Sequence, residues 1–443
     1  MTRAAAAPEL RTPVTSWGRL SNEPQRVLRL HDRNAAPPPL AAGDTALPFG
    51  NGRSYGDVCL NRPGQLWLTR GLDRCIAFDV ETGVLECEAG VLLDEIISVA
   101  LPQGWFLPVT PGTRYATLGG AIANDVHGKN HHRAGTLGEH VLGLSLLRSD
   151  GRRIECSPTQ EAAWLQATVG GLGLTGLIVT ARLQLLRVPG PWMDAEALPF
   201  GSLDDFFALS RESESDWAYN VSWIDCLHGR GAATRGVFFR ANHIALQRTP
   251  PPQRQRSLPF TPPVSLVGGL PLRAFNSVYM AAHQWRAGRR PQHLLPFFYP
   301  LDSLLGWNRM YGPHGFYQYQ CVVPRAVEID ATAALLDAIR ASGQGSFLAV
   351  LKTFGDRPSA GLLSFPMAGT TLALDFPNRG RPTEQLFERL DAIVLAAGGR
   401  VYMAKDARMG RALFRAGYPR LAEFMRYRDP GLASDLSRRL FDD

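Results

Sequence analysis

Cysteine is scarce and scattered. The six residues, at 59, 75, 87, 156, 226 and 321, include no CxxC pair. That spacing argues against a disulfide framework or a thiolate zinc site and predicts reduced thiols in a cytoplasmic protein. Long apolar runs are also absent. The best stretch, residues 264–272, falls well short of the roughly 20 residues a membrane-spanning helix needs. The opening MTRAAAAPEL has no apolar core and is not expected to act as a secretory signal. Acidic residues are missing from one long segment: between Cys226 and Pro300 there is no Asp or Glu, against ten Arg. The net charge of +7 therefore resides there, leaving about −3 for the remainder by subtraction. So one-sided a stretch suits an anionic counterpart such as phosphate, a lipid surface or nucleic acid, although a solvated loop has the same composition. Aromatic–basic interleaving and recognisable nucleic-acid modules are missing, so no nucleic acid partner is expected.

What is present suffices for two sizeable cores: 443 residues, 45% hydrophobic and 20% charged. Residues 1–40, ending in a Pro-rich run at 35–39, read as an extended lead-in. Residues 67–69, 75–78 and 84–89 predict strands, and 91–101 a helix with Leu92, Ile96, Val99 and Ala100 at helical spacing. Residues 141–148 and 152–156 read as a hairpin closed by Asp150-Gly151. The β-rich run 177–188 ends at Pro189-Gly190-Pro191, a domain boundary. A helix opens at Ser202, with Asp204 and Asp205 in its first turn. Strands follow at 217–224 and 234–240, and residues 247–296, rich in Pro, Arg and Gln, are expected to be partly ordered loops. From 318 to 403 the order is β-α-β-β-α-β, which predicts an antiparallel sheet backed by helices.

Three glycine-rich segments carry the strongest chemical signal: Pro48-Phe-Gly-Asn-Gly-Arg-Ser-Tyr-Gly-Asp57, residues 110–128 and Gly170-Gly-Leu-Gly-Leu-Thr-Gly176. Glycine lets backbone N–H groups approach a pyrophosphate closely. None is a Walker loop or a strand–GxGxxG–helix fingerprint. Each alone reads as a tight turn; together they predict a bound nucleotide cofactor. His127 and His131 are spaced i, i+4, but Gly128 intervenes and no HExxH glutamate follows. His131, His132 and His140 are therefore read as hydrogen-bonded or surface histidines, and no metal site is expected.

The order and wording of these motifs resemble the vanillyl-alcohol oxidase class of FAD-binding proteins, most closely a subgroup acting on lipid-linked ribose. The residues carrying the resemblance are Gly52-Arg-Ser-Tyr-Gly-Asp57, Pro111-Gly-Thr-Arg114, Gly119-Gly-Ala-Ile122, His127-Gly-Lys-Asn-His-His132, Tyr311-Gly312, Gln318-Tyr-Gln320, Leu363-Ser-Phe-Pro366, Asp375-Phe-Pro377 and Ala404-Lys-Asp406. It runs from about residue 15 to the end. It implies a two-domain α+β flavoprotein: an FAD-binding domain at 1–190, an antiparallel-sheet substrate domain with basic loops at 191–399, and a segment at 400–443 returning to the FAD domain.

By the same resemblance Pro48, Phe49, Gly50, Asn51, Gly52, Arg53, Ser54, Tyr55, Gly56, Asp57 and Val58 hold FAD. So do Gly112, Thr117, Leu118, Gly119, Gly120, Asn124, Asp125, Val126, His127, Ile178 and Tyr402. Arg53 stands where relatives carry the histidine that attaches the flavin covalently, so FAD is expected to be non-covalent. Lys405 aligns with the catalytic lysine, as base or as stabiliser of reduced flavin, although a lysine after a β-run is ordinarily a solvated strand end. Tyr55, His127 and Lys129 join it as catalytic candidates. Tyr311, Gln320, Lys352, Lys129 and Lys405 are expected on the substrate side, with a purely structural role the open alternative for Lys352 and Tyr311. The cysteine trapped by nitroaromatic inhibitors aligns with Ala373, and a neighbouring Asn with Thr371. The implied reaction oxidises the 2′-hydroxyl of a polyprenyl-phosphoryl-β-D-ribose to the 2′-keto sugar, with hydride passing to the flavin. An NADH-dependent short-chain reductase would complete the epimerisation, and the basic stretch would touch an anionic membrane peripherally. The alternative is a soluble alditol or aldonolactone oxidase of the same fold.

Overall fold

Alternating apolar and polar residues build three main sheets in the computed structural model, which describes residues 9–11, 14–250, 252 and 255–441. The first has four strands, with Gln25–Arg29 and Ala46–Phe49 flanking Gln65–Leu68 in parallel. The second is antiparallel and joins Cys75–Asp79, Val84–Glu88, Leu177–Gln184, Val141–Leu147 and Arg153–Cys156 in that order. Its Asp150-Gly151 hairpin is present, with Gly151 at φ 85°, a conformation that favours glycine. The lead-in expected at residues 1–40 is corrected in part. Gln25–Arg29 is a paired strand whose Val27 and Leu28 are buried in two different cores.

The third sheet has eight strands in the order Gly288–His293, Trp192–Ser202, Ala233–Ile244, Tyr219–Ile224, Ala349–Phe354, Gly369–Pro377, Phe316–Pro324 and Arg400–Val401. Every pairing in it is antiparallel. Helices Leu203–Ser213, Glu328–Ser342 and Arg381–Ala396 pack on one face. Phe206, Leu335, Ile339, Leu386 and Leu390 meet Cys321, Leu351, Leu372 and Leu374 there. Ser202 caps the first of these helices, its Oγ accepting from the Asp205 N–H at 3.1 Å, as its position before two aspartates predicts. Because strand residues alternate, the opposite face displays Gln318, Gln320, Lys352, Thr371 and Ala373.

Residues 247–296 are more ordered than their composition predicts. Gly269–Trp285 is a 17-residue helix and Gly288–His293 an edge strand paired with Trp192–Ser202. The helix hid because Pro271 sits in its first turn, where it is tolerated, and because only Leu272, Asn276 and Met280 are buried, too few for a clear periodic stripe. Trp192–Ser202 hid because Pro199 and Gly201 read as strand breakers. Arg254 lies outside the described residues.

The segment after residue 400 closes against the first sheet. The Ala46 N–H donates to the Gly431 carbonyl at 2.9 Å, and the Ala433 N–H to the Ala46 carbonyl at 3.0 Å. The largest apolar core draws on Leu47 and Leu174, on Phe206 and Leu386, and on Phe414 and Leu440 together. Among the described residues no helix is long and apolar enough to cross a membrane.

Candidate active site

The first glycine loop leaves strand Ala46–Phe49 and runs to a short turn at Asp57–Cys59. A β-carbon at Gly50 would strike Thr117 Oγ1, so the two loops can approach only because residue 50 has no side chain. Thr117 caps the helix Leu118–Ala123, its Oγ1 accepting from the Gly120 N–H at 3.2 Å. The third loop docks on that helix's end, the Leu172 N–H donating to the Ala123 carbonyl at 2.8 Å. All three segments line one cavity of about 700 Å³, which continues over the polar face of the eight-stranded sheet.

Of the residues expected to hold the cofactor, Pro48, Gly50, Asn51, Gly52, Arg53, Ser54, Tyr55, Val58, Gly112, Thr117, Gly119, Gly120, Asn124, Val126, His127, Ile178 and Tyr402 line this cavity. Five do not. Phe49 and Leu118 belong to apolar cores. Gly56 is pressed against the Asp406 backbone. The Asp57 carboxylate is taken by Arg439 at 3.0 Å. Asp125 is fully buried, accepting from Ser364 Oγ at 2.5 Å and from the Gly138 N–H at 3.0 Å. In the structure these five positions are engaged in packing and hydrogen bonds within the protein.

Lys405 follows strand Arg400–Val401 on a turn, its N–H donating to the Tyr402 carbonyl at 3.0 Å. The chain there is tied to the first loop by the Tyr55 N–H, which donates to the Ala404 carbonyl at 3.0 Å. The Lys405 ammonium sits 3.8 Å from the centroid of the Tyr55 ring. Burial lowers its pKa to about 8, against an opposing pull from the Asp375 carboxylate. Asp375 is pushed up to about 7, chiefly by burial. It accepts from Gln318 Nε2 at 2.5 Å and from the Tyr311 hydroxyl at 3.5 Å. Tyr311, expected on the substrate side, is not among the residues lining the cavity. It lies stacked on Phe316 at 4.0 Å, with its hydroxyl on the Asp375 carboxylate whose charge acts on Lys405.

Gln320 Nε2 donates to His127 Nε2 at 3.1 Å and to Thr371 Oγ1 at 3.3 Å. With Nε2 accepting, the His127 proton sits on Nδ1, which has no partner among the described residues. Burial, then the charge of Lys352, holds this imidazole neutral, well below its usual pKa. Lys352 Nζ donates to the Gly128 carbonyl at 2.8 Å, and burial lowers its pKa to about 7. Lys129 Nζ donates to the Phe297 and Phe298 carbonyls, so its ammonium braces the wall at 297–302. The other three histidines scatter. His131 Nδ1 accepts from the Gly355 N–H, while His132 and His140 bond to the Trp217 and Ala134 carbonyls. Among the described residues no group of three or more His, Cys, Asp or Glu could hold a metal ion.

The cavity fits a flavin nucleotide. Its volume lies within the range of about 300–1,000 Å³ usual for cofactor sites. Among the buried polar atoms that lack partners in the described residues, Arg53 Nε, Asn124 Oδ1, His127 Nδ1 and Ser222 Oγ belong to residues that line the cavity. Arg53 stacks on Trp17 at 4.3 Å, so a cation with an unsatisfied donor lies beside the glycine loops, where a pyrophosphate is expected. Sequence reading missed Asp375 as a site residue and missed the wall at 297–302. In sequence Asp375 stands out only as part of Asp375-Phe-Pro377, and the wall carries no spacing signal.

Residues 40–157 match the FAD binding domain family. Over 96% of this chain and 97% of its own length, the decaprenylphosphoryl-β-D-ribose oxidase of Mycolicibacterium smegmatis is 36% identical. The chain belongs to the decaprenylphosphoryl-β-D-ribose oxidase family. Like the family it is an FAD-dependent oxidoreductase with an FAD binding domain. An uncharacterised protein of Streptomyces coelicolor is 35% identical over 79% of this chain and 100% of its own length. Similarity to the L-gulonolactone oxidase of Mus musculus is narrower, 30% identity over 30% of each chain.

Proposed function

We propose that the chain oxidises the 2′-hydroxyl of a polyprenyl-phosphoryl-β-D-ribose to the 2′-keto sugar, using FAD held without a covalent bond. The observation that carries this reading is the half-buried Lys405, its ammonium over the Tyr55 ring. It shares one cavity with the glycine loops and with Gln320, His127 and Lys352. The name of the Mycolicibacterium relative supports the substrate class. FAD, when bound, supplies the acceptor for the C2′ hydride.

The chain's own residues handle the proton and the alignment. Lys405, its pKa lowered to about 8 by burial, has a neutral fraction able to take the hydroxyl proton. Asp375 keeps that proton affinity from falling further. Gln320 fixes the His127 tautomer, so its Nδ1–H is free to donate to a ligand. Lys352, anchored on Gly128, adds positive charge toward the sugar phosphate. Arg53 occupies the slot of the attaching histidine in relatives, and a guanidinium is no nucleophile. Acid precipitation should therefore release all FAD into the supernatant, and flavin left on the precipitated chain would defeat the non-covalent reading. An NADH-dependent short-chain reductase is the expected partner that consumes the keto sugar.

Anaerobic titration of the FAD-loaded protein tests the substrate class. Lipid-linked ribose phosphate in detergent micelles should bleach the flavin, and free alditols or aldonolactones should not. Bleaching by the free sugars alone would move the chain to the soluble sugar oxidases.

A further inference from the structure

We propose that the Gly269–Trp285 helix is a membrane-docking element: its outer face enters the headgroup layer of an anionic bilayer, and lipid-linked substrate reaches the cavity from beneath it. The inference rests on the proposed substrate class and adds the element and the route.

The helix has two unlike faces. Inward, Leu272, Asn276 and Met280 are buried, and Tyr279 and His283 line the cavity. Tyr279 packs on Trp223 at 4.6 Å and His283 on Phe239 at 5.4 Å, both sheet residues of the same cavity. The helix therefore roofs an arm of the space that also holds Lys405 and Gln320. Outward, Leu270, Ala274, Val278, Ala281 and Trp285 recur at helical spacing and form one exposed stripe. Leu270 is 81% exposed, Val278 68% and Trp285 83%. With Phe260, Val264 and Leu266 just upstream, these are the six most exposed large apolar side chains among the described residues. Single exposed apolar residues are ordinary; their concentration on one helix and its approach is not.

Charge selects the occupant. Arg235, Arg240 and Arg289 are neutralised by Asp225, Glu196 and Asp194. Arg289, within the basic stretch expected to touch a membrane, is therefore occupied inside the protein. Arg230, Arg248, Arg256, Arg273, Arg286 and Arg290 form no ion pair among the described residues, and no acidic residue exists between Cys226 and Pro300 to offset them. Arg273 and Arg286 are exposed on and just after the helix. An apolar stripe ending in Trp and flanked only by Arg is the pattern of a helix lying in the interface of an anionic membrane.

The test is co-sedimentation of the FAD-loaded protein with vesicles of equal parts phosphatidylglycerol and phosphatidylcholine, and with phosphatidylcholine alone. The protein should bind the anionic vesicles at low salt and leave them at high salt, since the attraction is screened. The double variant Val278→Glu/Trp285→Glu should bind about tenfold more weakly or worse, a loss of about 1.4 kcal/mol or more. It should turn over vesicle-borne substrate correspondingly more slowly, while flavin reduction by a short-chain water-soluble analogue stays at the parent rate. Flavin absorbance and melting temperature report whether the variant folds. If it does not, Leu270→Ser/Val278→Ser replaces it. Vesicle binding by the variant equal to the parent's overturns the inference. So does absence of parent binding at any salt, or a parent dimer that the variant splits, which would give the stripe to a second copy. Flavin bleaching by lipid-linked substrate in micelles separates the two readings. Bleaching without vesicle binding removes only the docking helix, and vesicle binding without bleaching removes only the substrate class.

Discussion

At the scale of single residues, burial sets the chemistry. Lys405 is charged in water near neutrality, but burial lowers its pKa to about 8, so the neutral form accumulates as pH rises through that value. The rate of anaerobic flavin reduction should therefore climb with pH and level off above about 8; a flat profile would leave Lys405 only as a charge beside the cofactor. Lys405→Ala should keep the flavin and slow its reduction about 100-fold or more. Asp375 acts through Lys405. Its carboxylate raises the lysine's proton affinity, so Asp375→Asn should move the rise to lower pH while Gln318 still has an oxygen to donate to. An unmoved profile in that variant would make Asp375 purely structural. Ala373, paired across the strands with Gln320, lines the cavity at the position aligned with the inhibitor-trapping cysteine, and Cys321, paired with Leu372, is fully buried in the core on the other face.

At the scale of elements, the glycine loops matter through contact as much as through freedom. Gly56 was expected to face the cofactor, yet a β-carbon there would overlap the backbone carbonyl of Asp406. Backbone cannot yield as a side-chain tip can. Gly56→Ala should cost roughly 1–3 kcal/mol of stability, as overpacking does. It should also weaken FAD binding, because the displaced turn carries Lys405. A melting curve and a flavin titration measure both, and parent values in each would contradict the packing. The same contrast explains what could be read from sequence. The helices Glu328–Ser342 and Arg381–Ala396 and the strands around them were legible because their apolar period is regular. The glycine loops were legible because each is contiguous. Gly269–Trp285 was not, since its outward stripe is as apolar as its inward one and no single period stands out. Trp192–Ser202 was hidden by its Pro and Gly, and the arrangement of Tyr311 behind Asp375 depends on strand register, which no local spacing reveals.

At the scale of the whole molecule, one arginine fastens distant segments. Arg439 pairs with Asp57 at 3.0 Å and with Asp406 at 2.8 Å, and so clamps the first glycine loop to the turn bearing Lys405. Arg439→Ala would strand two largely buried carboxylates, at a cost of about 3–5 kcal/mol by analogy with broken buried pairs. The melting temperature should fall, and adding Asp57→Asn and Asp406→Asn should restore part of it. No recovery would mean the loss comes from the missing side-chain packing alone. The clamp also sets an order in time. Asp57 leaves the ribosome 382 residues before Arg439, so a nascent chain carries its nucleotide loop through the synthesis of all those residues with the opposing wall unmade. Contacts so far apart in sequence form late and slowly. Until Arg439 emerges the growing chain thus has no finished pocket in which to retain its flavin, and cofactor capture waits on that residue.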